Sequence, residues 1–254
     1  MFDTLFRDAA ESEWTRRVVG ASLPAEADPF SFITRDGLDD IATALAACRG
    51  ETIVDLACGR GGPGLWIARQ IGAALIGIDF SPVGIDHARA RAAQLAPTLD
   101  VSYLVGDAAA TGLPDGVAAG LFCIDAIQLM PNKEAVMAEA GRLLRPGARA
   151  VFTTWEDPDY LDDLAALFAT AGLATVSVES RPEWLVRERA IFEQALADAP
   201  TLPEDKALQG WADEAKVVLP LIDDSTRVLG VAEKPLSRSN VTPPSSRGDS
   251  RGAR

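Results

Sequence analysis

Residues 53–64 read Ile53-Val54-Asp55-Leu56-Ala57-Cys58-Gly59-Arg60-Gly61-Gly62-Pro63-Gly64, an apolar β-rich run passing through a glycine-rich turn into a helix that starts on proline. Glycine tolerates positive φ and presents bare backbone, so such a turn lets a ligand lie against the main chain at a helix N-terminus. Taken literally, Gly59, Gly61 and Gly64 spell G-x-G-x-x-G, and Asp79 closes the next β-rich run 20 residues after Gly59. A carboxylate at that place holds two ribose hydroxyls. Strand, turn, helix, strand and acid, in that order, predict a nucleoside site on an α/β fold.

Outward from this segment, short apolar runs bounded by Gly, Pro or Asp alternate with helical stretches, which argues for a largely parallel sheet. The spacing predicts strands over Thr52–Leu56, Ala74–Ile78, Val101–Val105, Gly120–Ile124 and Ala148–Thr154, then Ala174–Val178 and Arg227–Ala232. Helices are predicted over Pro63–Ile71, after the Ser81-Pro82 cap, and over Lys133–Leu144, the last behind Asn132 and stopped by the turn Arg145-Pro146-Gly147. A further helix is expected over Tyr160–Ala171. Residues 182–224, between the last two strands, read as mostly helical and too long for a plain connection, and so as a cap carrying Trp184, Phe192 and Trp211. Residues 1–50 read as a helical segment packed on the core, with a helix over Asp36–Cys48. The core domain spans 51–233 and a disordered tail 234–254.

The chain has 254 residues, 48% apolar and 24% charged, which excludes wholesale disorder and fibrous classes. Its net charge is −13; the last 21 residues carry +4, so residues 1–233 carry −17. Such a field repels phosphate backbones, and nucleic acid is not an expected partner. No apolar run approaches the roughly 20 residues of a membrane helix, and the N-terminus lacks the pattern of a secretory signal, so a cytoplasmic location is expected. Cys48, Cys58 and Cys123 have no metal-ligand spacing, and a single histidine, His87, excludes any multi-imidazole site; no metal is expected.

The run VDLACGRGG (54–62) resembles the first motif of the class I S-adenosylmethionine-dependent methyltransferases. IGIDFSP (76–82) with Asp79, VGDA (105–108) with Asp107, and RLLRPGARAVFTTW (142–155) follow in the order of that family. The likeness is closest to the bacterial small-molecule branch that includes quinone and natural-product enzymes. It implies a Rossmann-like, doubly wound, mostly parallel seven-stranded sheet with N-terminal helices and a helical cap inserted before the last strand. The cofactor so implied is S-adenosylmethionine, with S-adenosylhomocysteine as product, held by Asp55, Ala57, Gly59, Gly61, Asp79, Phe80, Asp107, Ala108 and Cys123. Ala57 departs from the pattern, since many relatives carry glycine there. A nicotinamide dehydrogenase is the competing reading, but Asp55 beside the turn suits an α-ammonium group and serves a pyrophosphate badly.

Asp125 and Gln128 follow the fourth strand, and Glu156 ends the fifth, at the edge where the transferable methyl emerges; these three are the candidate catalytic residues. Trp155 is expected in the pocket wall and His87 on a helix away from the ligand. The expected reaction moves a methyl group to an O, N or C nucleophile of a small, apolar metabolite, mainly by proximity and orientation. A cofactor-binding protein of the same fold that catalyses another reaction, such as a cyclisation, is the alternative. A homodimer is left open.

Overall fold

The computed structural model describes residues 2–24, 26–27, 31–47, 49–157, 161 and 163–236. Seven strands, β1 (Thr52–Leu56), β2 (Ala74–Asp79), β3 (Val101–Val105), β4 (Ala118–Ile124), β5 (Leu144–Glu156), β6 (Ala174–Ser180) and β7 (Thr226–Glu233), form one sheet in the order β3-β2-β1-β4-β5-β7-β6. All neighbours are parallel except β7, which lies antiparallel between β5 and β6. Strand order reverses between β1 and β4, so the crevice of this doubly wound sheet opens at the carboxyl ends of those two strands.

Helices cover both faces. Helices α3 (Arg35–Ala44), α4 (Gly62–Ile71) and α5 (Pro82–Leu95) lie on one, α6 (Lys133–Leu143) and α7 (Leu164–Thr170) on the other. Successive residues of β4 divide accordingly: Leu121 packs with Met137, Leu143 and Phe168, and Phe122 with Ile41, Ile67 and Ile85. Burial on both faces explains why the central strands are continuously apolar. The helix starts follow side-chain chemistry. Ser81 accepts from Gly84 N, Asn132 from Ala135 N and Asp163 from Ala166 N, each satisfying an otherwise orphaned amide.

A third core joins the cap to the N-terminus. Helices α1 (Phe2–Glu11) and α2 (Glu13–Val18) pack against α9 (Lys206–Val218), which pairs with α8 (Pro182–Asp198). Trp14, Phe32, Phe192 and Trp211 fill the space between, so two of the cap's three aromatic residues serve its own core. Trp184 instead packs beneath it with Ile41 and Leu229 of the sheet side. Trp14 Nε1 donates to Asp198 and Ser12 Oγ to Asp205, both at 2.8 Å, tying the two segments together.

Four expectations change. No turn follows α6: Arg145-Pro146-Gly147 is already part of β5, which leaves the helix directly at Leu144. The helix expected over Tyr160–Ala171 starts at Leu164, where Asp163 supplies the cap, and Tyr160 lies outside the described residues. The helix expected over Asp36–Cys48 spans Arg35–Ala44, and Cys48 also lies outside them. Of the tail, residues 237–254 are not among the described residues, whereas Lys234 continues the β5–β7 pairing by donating to Ala148 O and accepting from Gly147 N. Among the described residues no helix is long and apolar enough to cross a membrane, and no group of side chains is arranged to hold a metal ion.

Candidate functional site

A cleft of about 550 Å³ runs along the carboxyl edge of β3, β2, β1 and β4. Gly106, Asp107, Ala108 and Ala109 wall it after β3, Asp79 and Phe80 after β2, and Asp55, Ala57, Cys58, Gly59 and Arg60 at β1 and its turn. Asp125, Ala126 and Leu129–Asn132 wall it after β4. Parallel pairing sets Asp55 opposite Gly77 and Leu56 opposite Ile78, which brings the β1 turn and Asp79 to one edge.

The turn after β1 is left-handed at three alternate residues. Ala57, Gly59 and Gly61 have φ of +58°, +53° and +73°. Alanine at the first of them is strained, since a left-handed L-residue costs roughly 1–2 kcal/mol. Ala57→Gly is therefore expected to raise unfolding stability by about 0.5–1 kcal/mol after glycine's own entropy cost, read as an upward shift of the urea midpoint. Gly64 is required for another reason: a Cβ there would stand 2.1 Å from Asp55 Oδ2. Gly61 serves packing, because its Cβ would meet Ala88 and the Tyr103 hydroxyl, each at 2.7 Å; it does not line the cleft.

Asp55 is 3% exposed, and burial, then the neighbouring Asp79, pushes its carboxyl well above the usual carboxylate range. A cationic group in the cleft would relieve that penalty. Asp79 Oδ2 accepts from Gly59 N at 2.8 Å and Oδ1 from Ser81 N at 2.9 Å, which locks the turn to the end of β2. Each oxygen keeps one lone pair for a ligand hydroxyl. Burial raises Asp79 as well, partly offset by these two amides. Phe80 is 61% exposed at the cleft mouth, an aromatic face open to a flat ring. Asp107 Oδ1 caps Ala109 N at 2.8 Å, leaving Oδ2 to the cleft. A bare backbone cradle, a buried acid wanting a cation, paired acceptors and an exposed ring fit S-adenosylmethionine.

The N-terminal helix closes the cleft from above. Phe2 and Phe6 of α1 line it, Phe2 meets Phe80 edge-on at 5.4 Å, and the main-chain oxygen of Phe6 accepts from Arg60 Nη1 at 3.1 Å. Ser81 Oγ donates to Asp3, a second tie between α1 and this edge of the cleft.

Of the three candidate catalytic residues only Asp125 reaches the cleft. Gln128 is buried beneath it: Nε2 donates to Asp125 O and Oε1 accepts from Thr154 Oγ1, so both ends of its amide are taken up within the protein. Glu156 accepts from Leu164 N and secures the start of α7. Neither lines the cleft, and both are corrected to supporting positions. Cys123 is corrected too. It is fully buried among Leu56, Met137 and Ala140 on the α6 side, where burial pushes its thiol up; Cys58 takes the place on the cleft wall. Trp155 donates Nε1 to Glu188 at 2.8 Å and does not line the cleft, and neither does half-buried His87 on α5.

Ser31 and the α1 aromatics were not legible as site residues, because only the fold carries them to the cleft, whereas Arg60 lies within the glycine turn itself. Arg227 had a visible signal: a cation opening the otherwise apolar run RVLGVA. Its guanidinium is fully buried and donates to Asp125 Oδ1 at 2.7 Å and Glu188 Oε2 at 2.9 Å.

Residues 53–147 match the family described as a methyltransferase domain. Over 105 residues the chain is 35% identical to the rice (Oryza sativa subsp. japonica) protein named "Probable tocopherol O-methyltransferase, chloroplastic", covering 41% of this chain and 29% of that protein. Over 207 residues it is 27% identical to methyltransferase GfsG of Streptomyces halstedii, covering 82% and 73%. In fold it is similar to geranyl diphosphate C-methyltransferase from Streptomyces coelicolor A3(2), solved with Mg2+, geranyl diphosphate and S-adenosylhomocysteine. That likeness has a TM-score of 0.64 at 16% identity and covers 92% of this chain and 97% of that one. The chain thus spans less than a third of the rice protein and about three quarters of GfsG. Over residues 53–147 it is similar to methyltransferase domains.

Proposed function

We propose that this chain transfers the methyl group of S-adenosylmethionine to an O, N or C nucleophile of a small, apolar, natural-product-like metabolite, leaving S-adenosylhomocysteine. The reading is carried by one observation: Asp55, the glycine turn, Asp79, Phe80 and Asp107 share a single cleft whose far wall is apolar. In it Asp55 would hold the α-ammonium, Asp79 the ribose hydroxyls, Phe80 a face of the cofactor and Asp107 the adenine edge. The cofactor supplies an already activated methyl group on a sulfonium.

What remains for the chain is to hold the nucleophile in line and keep water out, a positional contribution of roughly 7–11 kcal/mol. Leu129, Met130, Pro131 and Val136 provide the apolar wall, and Phe2 and Phe6 cover it. The name of the tocopherol O-methyltransferase supports an acceptor with a phenolic hydroxyl. No histidine lines the cleft, which favours an acceptor activated by position over one activated by a dedicated imidazole base.

Calorimetry with S-adenosylhomocysteine, then transfer of label from methyl-labelled cofactor to an extract of the producing organism, tests the reading. Binding with movement of label is the expected result; binding without it would favour the cyclase-type alternative. The affinity is also expected to depend on pH. The ammonium prefers the ionised Asp55, and the empty cleft favours its protonated form. Affinity should therefore rise as pH is raised from the ordinary carboxylate range through the elevated Asp55 value, then level off. Titrations at stepped pH check this, and an Asp55→Asn variant should flatten the curve.

A further inference from the structure

Asp125 sits on the cleft wall in an unusual backbone state, with φ of +52° and no glycine to excuse it. Four groups hold it there. Its amide donates to Thr153 O, at 3.0 Å, and its Oδ1 accepts from Thr153 Oγ1 and Arg227 Nη2, both at 2.7 Å. Ser31 Oγ donates to Oδ2 at 2.8 Å. Two donors fill Oδ1 and one occupies Oδ2, so one lone pair of Oδ2 is left.

Behind Asp125, away from the cleft, Arg227 of β7 and Glu188 of α8 form a fully buried pair. Glu188 is further held by Trp155 Nε1, and the Arg227 guanidinium lies 4.0 Å from the centre of the Trp155 ring. Among the described residues Arg227 Nε finds no acceptor. Buried ion pairs seldom add net stability over apolar packing, and an unpaired buried donor is a further cost. A cluster kept at that expense in the wall of a ligand cleft calls for a role beyond stability.

Resting on the methyltransferase reading, we propose that Glu188 and Arg227 are positioning residues for the acceptor: they fix the Asp125 carboxylate so that its free Oδ2 lone pair receives the O–H of an apolar, phenol-like acceptor. The carboxylate accepts and cannot donate, so the group it selects is a donor. A neutral hydroxyl suits it better than an ammonium because Arg227 offsets its charge and Arg187 stands close by, half-buried on α8. Burial also raises Glu188, against the pull of Arg227 and Trp155 and with the push of Asp125. The apolar body of the acceptor would rest on Leu129 and Met130. Because Glu188 belongs to the cap, correct seating of α8 and correct aim of Asp125 are one event.

The probes are 4-propylphenol and 4-propylanisole, alike except that the ether has no O–H, titrated calorimetrically into the full chain saturated with S-adenosylhomocysteine. One hydrogen bond to a charged acceptor predicts that the native chain prefers the phenol by about tenfold. In Glu188→Gln and Arg227→Lys the preference should fall to about twofold or less, while affinity for the ether and for S-adenosylhomocysteine stays as in the native chain. A merely structural role would weaken both probes together, and that result overturns the proposal. So does an undiminished preference in both variants, or no preference in the native chain. If Arg227→Lys does not fold, the milder Glu188→Gln decides. Failure of the native chain to bind S-adenosylhomocysteine is a separate outcome that removes the methyltransferase reading beneath it.

Discussion

Replacing Asp79 with alanine is expected to weaken S-adenosylhomocysteine binding by about a hundredfold or more. Two hydroxyl hydrogen bonds to one carboxylate are at stake, each worth roughly 1.5–3 kcal/mol, and tenfold in affinity corresponds to about 1.4 kcal/mol. The loss has a second source, since the same oxygens hold Gly59 N and Ser81 N. Without them the turn is no longer tied to β2 and must be ordered by the ligand. Asp79→Asn keeps one acceptor oxygen and should fall between. Calorimetry measures all three proteins, and an alanine variant within threefold of the native affinity would show that Asp79 does not hold the cofactor.

Gly64→Ala is expected to be comparably damaging by a different route. Its Cβ would lie 2.1 Å from Asp55 Oδ2 and 3.0 Å from Cγ, so either the carboxylate leaves its place or the first turn of α4 moves. Overpacking of this kind costs typically 1–3 kcal/mol in stability. Displacing Asp55 should also lower cofactor affinity more than tenfold. Gly112→Ala is the control. That glycine also has positive φ, +73°, but no atom stands within 4 Å of its added Cβ and it lies outside the cleft. It should lose about 1 kcal/mol of stability to backbone strain alone and bind S-adenosylhomocysteine normally. Urea denaturation and calorimetry on the same preparations separate the two effects.

Much of this molecule is readable along the chain because its cues are local. The apolar runs that became β1, β2, β4 and β7 are short, bounded by Gly, Pro or Asp, and largely buried, whereas the edge strands β3 and β6 are mostly exposed. Ser81, Asn132 and the glycine turn announce helix starts through bonds that span only three or four residues. This edge of the cleft is similarly compact: Asp55 to Gly64 is one segment, and Asp79 follows 20 residues after Gly59. Where local cues mislead, a tertiary contact has outvoted them. Arg145-Pro146-Gly147 reads as a turn, yet β4 pairs with Leu144 and Lys234 pairs with Ala148 and Gly147, which stretch it into β5. Gln128 and Glu156 stand at the right strand ends, but Thr154 and the start of α7 claim their polar atoms.

From its residues alone the chain determined a largely parallel α/β sheet, the glycine turn and the acids that attend it, because the cues for each lie a few positions apart. Tertiary structure decided the acceptor side. Ser31, Asp125, Glu188 and Arg227 are separated by up to 196 positions and carry no shared spacing. They become one cluster only when β7 is inserted antiparallel beside β5 and the cap folds down over it. Charges so distant in sequence can be paired only by burial together, and burial is a property of the folded molecule.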